Sequence, residues 1–173
     1  TDPRARVIPE AIERAMLLAQ EDDSARVRQR ALNQLGNSGD DRVIPLLERI
    51  LKTSKAHSRR RAAAFRALLT LWSAPVPQSN PSQRAYAVSM KWLQKTPRDL
   101  NNPPGTALSA LRWSSHRLFK ERAPWFDLES FAEVTFQVLS DLETSPQARM
   151  HLADAMTHHA VPIGRWQKLR EVY

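Results

Sequence analysis

Basic side chains recur along one segment of the chain at a spacing that could bind anions. In residues 106–120, Arg112, His116 and Lys120 are four residues apart, and Arg117 lies beside them. Residues four apart share one face of an α-helix, so these side chains would form a single column. Arg pairs with phosphate or carboxylate through two parallel hydrogen bonds, so the column could bind either anion. Like charges at this spacing destabilise a helix, which favours a role for an anionic partner.

A second set of arginines lies in residues 58–72. Arg59 and Arg66 are seven residues apart, and Arg60 adjoins them. They lie opposite a stripe that is expected to be buried, made of Phe65, Leu68, Leu69 and Trp72. Residues 57–125 hold 12 basic and 2 acidic side chains, whereas residues 1–56 hold 10 and 9, in a chain with a net charge of +8. The excess of basic residues in 57–125 predicts one partner-binding surface. Its expected members are Arg59, Arg60, Arg66, Arg112, Trp113, His116, Arg117 and Lys120.

The basic residues are open to three interpretations. They could simply form a solvated face, since charge runs often do no more than maintain solubility. They could bind the phosphates of DNA or RNA, and Trp113 could then stack on a base. They could also dock an acidic protein segment, which the same arginines would suit equally well. Composition does not separate the last two.

Motifs for catalysis or for cofactor and metal binding are missing. The chain has no cysteine and four glycines, and no glycine-rich nucleotide loop, GxSxG or HExxH sequence occurs. His151, Asp154 and His158 share a helical stripe, but the two histidines would be about 10 Å apart, too far for one ion. We therefore predict no catalytic residue, no cofactor and no metal, and interpret the stripe as a solvated face.

Apolar residues recur at helical spacing nearly throughout, and no segment reads as a strand. Sequences rich in Gly, Pro, Asn and Asp separate the apolar segments. Trp72, Trp92, Trp125 and Trp166 are expected to be core or inter-repeat anchors. Helices are predicted near 7–20, 24–35, 41–53, 58–72, 81–95, 106–120, 127–142 and 146–160, followed by a terminal helix over 163–173.

The first two helix pairs repeat in sequence. Arg6-Val7-Ile8-Pro9 returns as Arg42-Val43-Ile44-Pro45, and the Arg, Ala and Leu at 28, 31 and 35 return at 61, 64 and 68. Such a period is typical of a solenoid, in which one helix pair buries its apolar face only by stacking on the next. With Val27-Arg28, Ala31, Leu35-Gly36, Gly39-Asp40 and Pro45-Leu46-Leu47, the chain resembles the short bacterial HEAT repeats over residues 6–72.

The resemblance implies an all-α fold, a right-handed α-solenoid whose second helices line a concave surface. About four antiparallel pairs are expected within a single domain over residues 1–173, near 6–35, 41–72, 81–120 and 127–160, followed by the helix over 163–173. Arg28 and Arg61 occupy positions where HEAT-like repeats use Arg in a ladder with Asp. The candidate partners are Asp23, Asp40 and Asp41.

These observations favour a noncatalytic module that docks an acidic protein, or an acidic neighbouring domain, in a basic concave groove. The alternative is nonspecific DNA or RNA binding through the same groove. Some HEAT-like proteins are DNA glycosylases for alkylated bases, but the basic third contains only Asp99 and Glu121 as acids, and no aromatic pocket beside either can be identified. A chain that starts at Thr1 is expected to be processed or excised. We expect no membrane partner and a cytoplasmic location.

Overall fold

The described part of the chain is entirely helical. The structure, a computed structural model, describes residues 9–55, 58–72, 80–95 and 126–140, together with Pro146, Arg149, Met150 and Ala153. No strand occurs within these ranges, and each of their helices is too short or too polar to cross a bilayer. The helices are α1 (Pro9–Glu21), α2 (Ala25–Gly36), a 3₁₀ turn (Asp41–Val43), α3 (Ile44–Thr53), α4 (Arg59–Trp72), α5 (Asn80–Lys95) and α6 (Leu128–Ser140).

These bounds agree closely with the predicted helices up to residue 95 and with the one predicted near 127–142. The predicted helices over 106–120 and 163–173 lie outside the described residues. Only four residues of the predicted helix over 146–160 are described. The right-handed twist, the number of pairs and the single-domain limits remain predictions.

Local hydrogen bonds explain where α1 ends and α2 begins. The Asp22 carboxylate accepts the N–H of Ser24 at 2.8 Å, and the Ser24 hydroxyl accepts the N–H of Val27 at 3.4 Å. A serine at this position satisfies one of the unpaired N–H groups of the first helical turn. After α2, Gly39 has φ of 65°, a left-handed conformation that glycine adopts without strain. Short polar turns therefore separate α1 from α2 and α2 from the 3₁₀ turn.

Helix α4 is the centre of the described fold and packs against α2, α3 and α5. The four residues predicted to form its buried stripe, Phe65, Leu68, Leu69 and Trp72, are fully buried, which confirms the prediction. A Cβ atom placed on Gly36 would lie 2.9 Å from the Cα and the carbonyl oxygen of Ala67. Only a residue without a side chain allows the two helices to approach so closely. The second helices of the first two pairs are thus in main-chain contact.

An aromatic cluster joins α4 to α5 and α6. Trp72 and Tyr86 meet edge to face with ring centroids 5.0 Å apart, and Phe126 lies 5.7 Å from Tyr86 and 5.8 Å from Phe131. Such ring pairs add stability beyond the area that they bury. Burial, assisted by the nearby charge of Asp127, raises the pKa of Tyr86, so its hydroxyl stays neutral. The burial of Trp72 and Trp92 confirms two predicted anchors, whereas Trp125 and Trp166 lie outside the described residues.

Ion pairs along one side of the fold connect the 3₁₀ turn to α1 and α5, and we call this the ion-paired edge. Arg42 lies 2.7 Å from the Asp40 carboxylate and 3.7 Å from that of Glu13 on α1. Arg84 on α5 lies 2.8 Å from Asp41. The hydrogen bonds from Arg42 lower the pKa of Asp40, and the same contacts raise the pKa of Arg42.

Candidate functional site

A cleft opens between the first turns of α2 and α4. Its volume is about 390 Å³. Both helices begin there, so the positive ends of their dipoles face the same space. None of the described residues that line it is acidic, and we call it the arginine cleft. Its lining residues are Ala25, Arg26, Arg28, Gln29, Leu32, Arg59 and Arg60.

Two of the four arginines are fixed by the end of α1. Arg28 donates hydrogen bonds to the main-chain carbonyls of Asp22 and Asp23, the latter at 3.0 Å. Arg60 reaches across from α4 and donates to the carbonyls of Ala19 at 3.2 Å and Gln20 at 3.4 Å. The last carbonyls of a helix lack partners within it and carry partial negative charge, so Arg60 stabilises the end of α1, and Arg28 stabilises the turn that follows it. They are thereby held in place at the cleft.

The other two arginines, Arg26 and Arg59, are exposed at the mouth of the cleft. Neither forms an ion pair with any acidic residue in the described ranges. They are 33 residues apart, the interval that separates equivalent positions of α2 and α4. The fold therefore brings together two repeat-equivalent cations and leaves their charge uncompensated by the described part of the protein.

The predicted site residues on α4 are now placed individually. Arg59 and Arg60 line the arginine cleft. Arg66 lies two turns further along α4 and donates to the side-chain oxygen of Asn33 on α2 at 2.9 Å. The other predicted members, Arg112, Trp113, His116, Arg117 and Lys120, lie outside the described residues.

The predicted arginine–aspartate ladder is wrong in its partners for Arg28. This residue donates to the main-chain carbonyls of Asp22 and Asp23 in the turn between α1 and α2, and it forms no ion pair with a carboxylate of the described residues. Asp40 pairs instead with Arg42, and Asp41 pairs with Arg84. Arg61 is 7% exposed, and its guanidinium carbon lies 5.2 Å from the centre of the Trp92 ring, a cation–π contact between α4 and α5.

Two residues of the arginine cleft, Arg26 and Arg28, were not among the predicted site residues. The signal for Arg26 was present in the sequence, because it precedes Arg59 by the repeat interval. Arg28 was assigned to the ladder, and its contact with the end of α1 depends on the folded turn. Repeat-equivalent positions would have been a better guide than the charge of each third of the chain.

No cluster of metal ligands is found in the described part of the protein. No group of three His, Asp or Glu side chains that could hold a metal occurs among the residues of 9–55, 58–72, 80–95 and 126–140. His151, Asp154 and His158 lie outside the described residues, as do Asp99 and Glu121. The stripe of histidines and the glycosylase hypothesis are therefore untested by the structure.

Comparison with known proteins supports the repeat. Residues 5–68 match the family model of HEAT repeats. A search of the curated proteins found no significant match, and neither did a search of the solved structures. HEAT repeats generally act as scaffolds for protein–protein interactions and are typically noncatalytic. The predicted resemblance is confirmed for this part of the chain, and the arginine cleft lies within the HEAT-repeat segment.

Proposed function

We propose that this protein is a noncatalytic binding module whose arginine cleft docks an acidic segment of a protein partner or of a neighbouring domain. One observation carries the proposal: four arginines line a single cleft, and no acidic residue of the described ranges lines it with them. Folding brings these like charges together at a cost in free energy, because they repel one another. An acidic partner removes that repulsion on binding.

The architecture supports the proposal in a second way. The hydrogen bonds of Arg28 and Arg60 to the end of α1 hold two of the four cations in place before any partner arrives. A preorganised site loses less side-chain entropy on binding than one whose long side chains are free. The protein-binding role common in HEAT repeats favours a protein segment as the partner.

The proposed surface extends beyond the described residues. In a right-handed solenoid of about four helix pairs, the second helices would share one concave face. Arg112, His116 and Lys120 would then continue the basic surface that begins at Arg59, with Trp113 and Arg117 beside them. Arg112→Glu combined with Arg117→Glu should weaken binding of the acidic partner without loss of helical content.

Anisotropy of a labelled peptide rich in Glu and Asp tests the proposal on the full chain. Arg26→Glu combined with Arg59→Glu should weaken binding at least about tenfold, since charge reversal replaces attraction with repulsion. Arg14→Glu combined with Lys91→Glu is the matched control, because it changes the net charge equally at exposed sites on α1 and α5. Equal losses in the two variants would contradict a specific cleft.

Nucleic acid is the alternative that the same experiment must address. Labelled duplex and single-stranded DNA are titrated under the same conditions, at about 50 and about 150 mM salt. Binding to phosphates should weaken steeply between these concentrations. DNA that binds more tightly than the acidic peptide at the higher concentration would replace the protein partner with nucleic acid.

A further inference from the structure

The arginine cleft carries more positive charge than a single carboxylate can balance. Its four guanidinium groups sum to a formal charge of +4, and no acidic side chain from the described part of the chain lines the space. A glutamate or aspartate of a partner brings one negative charge, whereas a phosphorylated side chain brings about two. The charge of the cleft thus favours the phosphoryl group over a carboxylate.

The guanidinium N–H groups of the cleft can donate more hydrogen bonds than one carboxylate can accept. Arg28 and Arg60 use only some of their N–H groups on the end of α1. The Nε of Arg60 is buried and has no hydrogen-bond partner in the described part of the protein. Arg26 and Arg59 add two exposed guanidinium groups at the mouth of the cleft. A phosphoryl group presents three strongly accepting oxygens and can bind several guanidinium groups at once.

The shape of the cleft separates two sources of phosphate. Leu32 and Ala25 contribute apolar surface, and the volume of about 390 Å³ exceeds what a bare anion needs. There is room for the stem of a side chain as well as its phosphoryl group. A nucleic-acid backbone offers diesters with a single charge each, and needs cations spread along a track. The cations here line one cleft at the start of two adjacent helices, rather than a track.

We propose that the arginine cleft binds the phosphoryl group of a phosphorylated serine or threonine in the partner segment. This inference rests on the proposed function, since it specifies the chemistry of the docked protein. Arg28 and Arg60 form the fixed inner part of the pocket, and Arg26 and Arg59 close over the phosphoryl group from the mouth. Phosphorylation of the partner would therefore control docking.

Three versions of one labelled acidic peptide test the proposal, with phosphoserine, glutamate or serine at the same central position. Wild-type protein should bind the phosphoserine peptide about tenfold more tightly than the glutamate peptide, because the extra charge and oxygens engage more guanidinium groups. Arg26→Gln combined with Arg59→Gln should abolish this preference. Arg14→Gln combined with Lys91→Gln, the matched control, should preserve it.

A lysine variant distinguishes bidentate pairing from simple charge. Arg26→Lys combined with Arg59→Lys keeps the charge but removes the planar fork that matches phosphate. It should bind the glutamate peptide nearly as well as wild type while losing most of the preference for phosphoserine. An unchanged preference in this variant would overturn the bidentate pocket.

Inorganic phosphate provides a readout that does not need the peptide. In amide NMR spectra, added phosphate should shift the signals of residues 25–29 and 59–60 more than chloride does at the same ionic strength.

Equal affinity for the phosphoserine and glutamate peptides would overturn the phosphoryl pocket and leave the proposed function standing. Failure of every peptide to bind would overturn the proposed function and, with it, the phosphoserine pocket. Tighter binding of DNA than of the phosphoserine peptide would contradict both.

Discussion

The arginine cleft and the ion-paired edge use the same side chain in opposite ways. On the ion-paired edge, Arg42 and Arg84 each lie within 3 Å of an aspartate carboxylate, at 2.7 and 2.8 Å. In the arginine cleft, Arg28 and Arg60 bind main-chain carbonyls, and Arg26 and Arg59 form no ion pair in the described ranges. The edge is nearly neutral, whereas the cleft retains its charge.

The difference separates stability from binding. Cations that connect helices are paired within the fold, where they contribute modestly to stability. Cations left together without an acidic residue raise the free energy of the folded state, which is expected where a site awaits an anionic partner.

The largest effect is expected where α2 and α4 meet below the cleft. Gly36→Ala should lower the free energy of unfolding by about 1–3 kcal/mol, because its Cβ would lie 2.9 Å from the main chain of Ala67. Urea unfolding followed by circular dichroism measures the loss. Gly39→Asn is the control, since no atom lies within 4 Å of its Cβ position and asparagine tolerates the left-handed conformation. Equal losses at both glycines would contradict the close approach of the helices.

The next largest effect on the free energy of unfolding is expected when one arginine is removed from the ion-paired edge, with one removed from the arginine cleft for comparison. Arg84→Gln should lower the free energy of unfolding by up to about 1 kcal/mol, the usual contribution of an exposed ion pair. Arg59→Gln should leave it unchanged or raise it slightly, because it relieves repulsion in the cleft. Urea titrations of both variants and of wild type at low salt make the comparison. A greater loss for Arg59→Gln would mean that the cleft arginine serves stability.

A smaller effect on stability is expected when the pH is lowered and the pair between Asp40 and Arg42 is lost. The Arg42 guanidinium lowers the pKa of Asp40, so the stabilisation is present above the ordinary pKa of an aspartate and is lost as pH falls through the lowered value. Melting temperature measured from neutral pH to below about pH 4 should show a steeper fall for wild type than for Asp40→Asn. The asparagine keeps an oxygen that can accept the N–H of Arg42. Parallel curves would show that the pair contributes nothing.

The helices could be predicted from sequence because their apolar spacing and turn residues are local signals. The burial of Phe65 and Trp72 followed directly from that spacing. Arg61 could not be placed in this way, because its burial depends on stacking against Trp92 from the next helix pair. Apolar patterns treat an arginine as a surface residue, and no local signal indicates the ring that covers it.

Only two of the four arginines of the cleft were predicted from the sequence as site residues, because charge along the chain does not show how folding distributes it. Arg59 and Arg60 stood out in the basic third of the chain, but Arg26 lies in residues 1–56, where 10 basic and 9 acidic side chains nearly cancel. Folding separates those charges, since Asp40 and Asp41 go to the ion-paired edge and Arg26 goes to the cleft. Net charge along the sequence does not record which side of a helix pair each charge occupies.

Thermal unfolding in phosphate and in chloride at equal ionic strength tests the central claim most directly. An anion that binds the folded state alone raises its melting temperature by mass action. We expect phosphate to raise the melting temperature of wild type above its value in chloride. Because phosphate also stabilises folded proteins in general, Arg26→Gln combined with Arg59→Gln should lose more of this difference than Arg14→Gln combined with Lys91→Gln. Identical melting temperatures of wild type in the two salts would contradict an arginine cleft that is poised for an anion.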